Sequence, residues 1–249
     1  MNRILLTGLA GALIATQAAA FDPSTMNDAE RQAFRAEIRS YLMDNPEVIM
    51  EAIGVLEERQ AQAQAQGDES LISANAEDLF NDEHSGIRGN PDGDIVMVEF
   101  IDYRCGFCRR AHPEVAQLIE TDGNIKLITK EFPILGEASV LASQFAIATL
   151  QKVGSDAYHQ VNDALITMRA DVTPESLDRL GQDLGLDTGL IMPHMTSEEV
   201  QKVIAENRAL AQRLQIHGTP SFVVKDQMLR GYLPLEQMMA LVDQKRSAN

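Results

Sequence analysis

Ile95-Val96-Met97-Val98-Glu99-Phe100-Ile101, followed at once by Asp102-Tyr103-Arg104 and Cys105-Gly106-Phe107-Cys108, is the stretch that decides the fold. Seven residues that are apolar but for one carboxylate read as a buried strand. The run from Arg109 to about Thr121 reads as a helix, interrupted by Pro113. Ile125-Lys126-Leu127-Ile128 then starts a second strand that ends near Phe132-Pro133. A strand, a helix and a strand in this order predict a parallel pair with a right-handed crossover. The cysteine pair therefore falls at a strand-to-helix junction. The positive end of a helix favours a thiolate there, and the thiolate is the reactive form of cysteine. Cys105, at the helix start, is the candidate nucleophile. Cys108, one turn further in, is placed to resolve a mixed disulfide from close by.

These are the chain's only two cysteines. A disulfide scaffold uses more of them at wider spacing, and a four-residue loop restrains the unfolded chain very little. A purely structural disulfide stays open as an alternative. Haem attachment needs a histidine directly after the second cysteine, and Arg109 stands there. A structural zinc site needs four ligands. His112 is close, but His84, His159, His194 and His217 have no ligand spacing. No metal or cofactor is expected.

Outward from the pair, residues 1–20 read as a signal peptide. Arg3 provides the positive start, Ile4 to Thr16 is short and free of charge, and Ala18-Ala19-Ala20 offers small residues for cleavage before Phe21. The apolar run is shorter than the roughly 20 residues of a membrane span. Export to an oxidising compartment is expected, a bacterial periplasm fitting best. The whole chain carries 21 Lys+Arg and 37 Asp+Glu. Removing Arg3 leaves 20 against 37, a formal charge of −17, so no general attraction to nucleic acid or anionic lipid is expected.

Residues 21–70 are expected to be a helical segment. Asn27 or Asp28 caps a first helix with Phe34, Ile38 and Leu42 on one face. Pro46 and Glu47 restart a second, with Val48, Ile49, Ile53 and Leu56 as its apolar stripe. That stripe fades in the Gln-Ala repeat from Gln60 to Gln66, and Gly67 is the expected stop. This face is expected to pack either on the following domain or on copies of itself, its length and polar tail favouring self-association. A linker from Gly67 to Ser73, an edge strand begun by Leu79-Phe80, and a turn cluster over 86–93 lead into the domain at 71–249. Helical segments near 139–152, 155–168, 174–184 and 197–214 form a block, followed by a strand at Ser221-Phe222-Val223-Val224, a hairpin partner from Gln227 to Gly231, and a closing helix from Pro234 to Lys245.

Glu99-Phe100-Ile101-Asp102-Tyr103-Arg104-Cys105-Gly106-Phe107-Cys108, with Pro113 five residues later, resembles the active-site region of the DsbA/DsbC thioredoxin-fold family. His217-Gly218-Thr219-Pro220-Ser221 resembles that family's cis-proline loop. The resemblance covers roughly Leu79 to Lys245. It implies a thioredoxin-like α/β fold with an inserted helical domain at about 138–214. It also implies a redox-active disulfide between Cys105 and Cys108, and a cis peptide before Pro220 in a loop that binds substrate backbone through Thr219 and Pro220. Phe107 is expected to offer an apolar contact to unfolded substrate. Glu99 resembles the family's buried acid, able to relay a proton to Cys108, and Lys130 resembles the lysine that accompanies it. A solvated edge pair is the alternative for those two. Arg104, Arg109, Arg110 and His112 are expected to be solvated or packing residues.

Gly-Phe between the cysteines is close to the Gly-Tyr of disulfide isomerases, and Thr219 before the proline is also what those enzymes carry. Phe34-Arg35-Ala36-Glu37-Ile38-Arg39-Ser40-Tyr41-Leu42 with Asn45-Pro46-Glu47-Val48-Ile49 resembles the N-terminal segment of ScsC-like proteins, which implies a homo-oligomer, a trimer being favoured. The resemblance thus implies an isomerase or reductase acting on unfolded or misoxidised exported proteins, its cysteines recycled by a membrane redox partner. A DsbA-like oxidase and a copper-binding thiol protein are the alternatives. The eleven methionines mostly occupy helical apolar positions, which suits a core or interface better than copper.

Overall fold

The structure, a computed structural model, describes residues 23–81 and 83–247. The expected signal peptide, residues 1–20, lies outside them. Two compact units divide between Arg59 and Gln60. In the first, a short 3-10 turn at Pro23–Thr25 leads to α1 (Asp28–Asp44). Asn27 caps α1: its side chain accepts from the Glu30 amide, and the Glu30 carboxylate accepts from the Asn27 amide. This reciprocal pair satisfies two of the four donors a helix start leaves open. No residue of α1 is buried, and Phe34, Ile38, Tyr41, Ile49, Ile53 and Leu56 are all exposed.

Helix α2 (Glu47–Ala74) crosses the division and does not stop at Gly67. A glycine inside a helix costs about 1 kcal/mol. Here the following turn recovers it: the buried Asp68 receives two hydrogen bonds from Arg230, and Ile72 enters the core. The expected linker at 67–73 is therefore helix, and the expected segment boundary at residue 70 falls inside it. Leu79-Phe80 is likewise not strand. It closes a short helix, α3 (Ala76–Phe80), that buries Leu79 completely.

The second unit holds a five-stranded sheet made of β1 (Gly86–Gly89), β2 (Ile95–Ile101), β3 (Ile125–Glu131), β4 (Ser221–Val224) and β5 (Gln227–Arg230), in the order β1-β3-β2-β4-β5. β2 and β3 are parallel, as expected, and α4 (Gly106–Asp122) is their crossover. The other pairings are antiparallel. β1 occupies part of the expected turn cluster. Gly86 is required in it because a Cβ there would overlap the Tyr158 ring.

Alternation along the strands sends Ile95, Met97 and Glu99 to one face and Val96, Val98 and Phe100 to the other. The first face packs against α4 and the closing helix α10 (Leu235–Ser247) through Ala111, Val115, Leu118, Met238 and Val242. The second packs against Leu79, Leu210 and Leu214. Between β3 and β4 the chain forms α5 (Glu137–Lys152), α6 (Ser155–Thr167), α7 (Pro174–Asp183), α8 (Thr188–His194) and α9 (Glu198–Arg213). The seven-residue α8 is too short to show a period in the sequence. Ile101, Tyr103, Cys105 and Cys108 join the core of this helical block. The cysteine pair thus lies where the sheet meets the insertion.

Candidate active site

Cys105 is the N-cap of α4, in extended conformation, and its carbonyl already accepts from the Arg109 amide. Its own amide donates to the Asp102 carbonyl at 3.0 Å, which closes the turn between β2 and α4. The Cys105 side chain is 7% exposed, while that of Cys108 is fully buried. Both are free thiols. Burial pushes the Cys108 thiol well above its ordinary value, and the nearby Glu99 and Cys105 push the same way. Opposite the pair stands the loop 217–221, whose Thr219–Pro220 peptide is cis. Cys105 Sγ donates to the Thr219 carbonyl at 3.1 Å. Pro220 is buried, Thr219 half-buried, and Phe107 lies 61% exposed beside the pair. Sequence placed all five of these residues in the site, and the fold brings them together.

Glu99 lies on β2, paired with Thr129 of β3 and Phe222 of β4, and is 2% exposed. Its Oε1 is buried with no hydrogen-bond partner. Burial pushes its carboxyl up to about 7; Arg88 opposes this and Glu131 adds to it. A buried acid at the α4 face, close enough to influence Cys108, suits proton exchange with that thiol near neutral pH.

Lys130 does not join it. The register pairs Lys130 with Phe100, so it points to the opposite face of the sheet from Glu99. Its ammonium donates to the Asp78 carbonyl at 2.7 Å, and burial lowers its pKa to about 8. The family resemblance implied an accompanying pair. The one-residue offset between Glu99 and Lys130 across the ladder separates them.

The arginines and His112 are tied into the structure. Arg109 donates to the Ile166 and Met168 carbonyls, and Arg104 to the Ala170 carbonyl, joining the start of α4 to the end of α6 and the loop after it. Arg110 sits 4.7 Å from the Tyr232 ring centroid. His112 pairs with Asp163 at 2.9 Å, and burial lowers its pKa. Among the described residues, no group of three or more His, Cys, Asp or Glu side chains is arranged to hold a metal ion.

Sequence reasoning missed a polar layer beneath the pair. The buried Asp102 carboxylate accepts from the Arg104, Ile134 and Leu135 amides and from the Ser139 hydroxyl, at 2.8 to 3.0 Å. It fixes the loop after β3 against the loop that precedes Cys105. Glu131, on β3, accepts from Tyr103, Tyr158 and Ser143. The one available signal was two carboxylates set in apolar strand ends, at Asp102 and Glu131, each too costly to bury without partners.

Two family models match parts of the chain. The family described as "Thioredoxin" matches residues 81–244, and "Copper resistance protein ScsC N-terminal domain" matches residues 30–63. A thioredoxin-like oxidoreductase from Silicibacter pomeroyi DSS-3 is 40% identical, over 70% of this chain and 98% of its own, with a TM-score of 0.65. ScsC of Proteus mirabilis in a transitional conformation is 26% identical, over 92% of this chain and 100% of its own, with a TM-score of 0.66. Disulfide bond formation protein D of Bacillus subtilis is 25% identical over 187 residues, 66% of this chain and 82% of that protein. The first curated relatives are Na(+)/H(+) antiporters: NhaA 3 of Salinispora tropica is 24% identical over 156 residues, and the match spans only 24% of its length.

Proposed function

From the premise that the chain belongs to the thioredoxin family, with relatives of the ScsC and DsbA type, we propose that it is a thiol–disulfide oxidoreductase acting on protein disulfides through Cys105 and Cys108. The observation that carries this reading is the pairing of Cys105, at the start of α4 and 3.1 Å from the Thr219 carbonyl, with the fully buried Cys108 one turn below. Cys105, as thiolate, attacks one sulfur of a substrate disulfide. A Cys105–substrate bond forms, the substrate S–S bond breaks, and the other substrate sulfur leaves as thiolate. Thr219 and Pro220 then flank the substrate backbone, and Phe107 supplies exposed apolar surface for an unfolded segment.

Two outcomes follow from the mixed disulfide. In isomerisation, another substrate thiolate attacks, Cys105 is released, and no net oxidation occurs. In reduction, Cys108 attacks Cys105 Sγ, its proton passes to the Glu99 carboxylate, and the substrate leaves as a dithiol. The oxidised pair then requires a dithiol donor, for which a membrane redox partner is the proposed source. Lys130 has no part in these steps.

Isomerase or reductase action is favoured over oxidation by Gly106-Phe107 between the cysteines and by the match of residues 30–63 to the ScsC N-terminal domain. The exposed apolar residues of α1 and the start of α2 support self-association through residues 21–70, with a trimer favoured. Export to the periplasm, with cleavage after Ala20, is part of the same reading. N-terminal sequencing of the exported protein tests it: a first residue other than Phe21 rejects that cleavage.

Refolding of scrambled ribonuclease tests the activity. Recovery of nuclease activity by the protein, lost in Cys105→Ser, is the expected result. Rapid oxidation of reduced ribonuclease with no unscrambling overturns the isomerase reading in favour of a DsbA-like oxidase. Tight Cu(I) binding without any thiol exchange overturns both.

A further inference from the structure

Three hydroxyls converge on the buried Glu131 carboxylate. Tyr103 Oη donates to Glu131 Oε1 at 2.6 Å, Tyr158 Oη to the same oxygen at 2.9 Å, and Ser143 Oγ to Oε2 at 2.8 Å. Asn162 in turn donates to Tyr103 Oη, at 2.9 Å. The donors come from the loop before Cys105, from α5 and from α6. All of these side chains are buried. Burial pushes the Glu131 carboxyl up, to about 7, and the three hydroxyl donors oppose this by favouring its charged form.

Glu99 is built the other way. It shares the sheet face of Glu131, because Glu99 pairs with Thr129 and Ile101 with Glu131 in the parallel ladder. Its Oε1 has no donor at all. Two buried carboxylates on one face do not both ionise easily. We propose that Glu131 and Glu99 form a buried carboxyl pair holding a single proton, with Glu131 the ionised member and Glu99 the member that exchanges the proton with Cys108. Glu131 is then a positioning residue: it never touches the reacting sulfurs, and its charge loads the proton onto Glu99.

The inference rests on the thiol-exchange reading above and assigns the proton's path within it. When a substrate thiolate attacks Cys105 of the oxidised pair, Cys108 leaves, and the Glu99 carboxyl protonates it. In the reverse direction the Glu99 carboxylate takes the Cys108 proton as Cys108 attacks Cys105. The groups that face the pair are Cys108 on α4, Arg88 on β1, Tyr158 on α6, and Tyr103 and Asp102 in the loop after β2. Arg88 favours ionisation of Glu99, and Glu131 opposes it. Arg88 and Glu131 thus act on Glu99 in opposite senses, and Glu131 supplies the like charge.

The test follows the resolution step in the full chain. The dithiol protein is mixed with an aromatic disulfide that releases a coloured thiolate. The first thiolate reports attack by Cys105, and the second reports attack by Cys108 on Cys105 Sγ. The rate of the second release is measured from pH 5 to pH 9, all of it at intervals of about half a unit. A sigmoidal rise near neutral pH is expected, and Glu99→Gln removes it. Glu131→Gln moves its midpoint to lower pH by about one unit, because the repelling charge is gone. A merely structural role changes the amplitude and leaves the midpoint in place. Should Glu131→Gln fail to fold by circular dichroism, Tyr158→Phe and Ser143→Ala each remove one donor, and each lowers the midpoint by less. An unmoved midpoint in the folded variants overturns the pair, and so does a midpoint that survives Glu99→Gln. Absence of the first release in the unaltered protein is a different result: it overturns the thiol-exchange reading, and the carboxyl pair with it.

Discussion

Glu99→Gln is expected to remove a pH-dependent loss of stability that the buried carboxyl imposes. The folded state holds the Glu99 proton up to about 7, against an ordinary value of 4.5, and burial is the main cause. An unfolded Glu99 releases that proton once the pH passes 4.5. Below that value the carboxyl is protonated in both states and costs nothing in linkage. As the pH climbs toward 7 the unfolded state gains the free energy of ionisation and the folded state does not. Stability therefore falls across this window, and the loss is complete above about 7. A raise from 4.5 to about 7, at about 1.4 kcal/mol per unit, sets the loss at about 3 kcal/mol. Glutamine fills the same space without charge. Its amide leaves a buried polar group without a partner, at about 1 to 3 kcal/mol, but that cost does not vary with pH. Urea unfolding of both proteins, kept as dithiols, is measured at pH 4, 6 and 8, the span of the window. The difference in unfolding free energy between variant and parent should shift in favour of the variant by about 3 kcal/mol from the lowest pH to the highest. Parallel stability curves across the window refute the placement of Glu99 as a buried, proton-holding acid.

Lys130→Met should leave both thiolate releases within about twofold of the parent, since the ammonium faces the Asp78 carbonyl on the other side of the sheet; a large slowing in the same stopped-flow assay contradicts that. Gly86→Ala forces a methyl into the Tyr158 ring and is expected to cost about 2 kcal/mol in urea unfolding. Asp68→Ala leaves Arg230 without its two hydrogen bonds and uncovers the turn after Gly67. A loss of about 2 kcal/mol is expected, together with fast amide exchange confined to residues 67–74. Ile38→Glu with Ile53→Glu places charge on the exposed apolar side chains of the first unit. Light scattering should then give the mass of one chain, with insulin reduction by Cys105 retained. An unchanged mass removes residues 21–70 as the self-association surface.

The parts of this protein that were legible in its sequence are those whose signal is local. A strand, two cysteines one helical turn apart and a following helix lie within 27 consecutive residues, from Ile95 to Thr121. With the strand that starts at Ile125, their order dictates a parallel pair with the thiols at a helix start, and Glu99 announced itself as a carboxylate in an apolar run. The loop 217–221 was found as a motif, yet its place opposite Cys105 needed the sheet order to put β4 beside β2. Only tertiary structure decided the rest. Gly67 does not end α2 because Arg230, 162 positions from Asp68, reaches that helix. Lys130 leaves Glu99 because strand register, set by pairing across the ladder, sends neighbouring positions to opposite faces. Glu131 can be buried because Tyr103, Ser143 and Tyr158 converge on it from three segments far apart in the chain. A sequence displays periodicity and neighbours; a buried charge is settled by partners that only folding brings within hydrogen-bond distance.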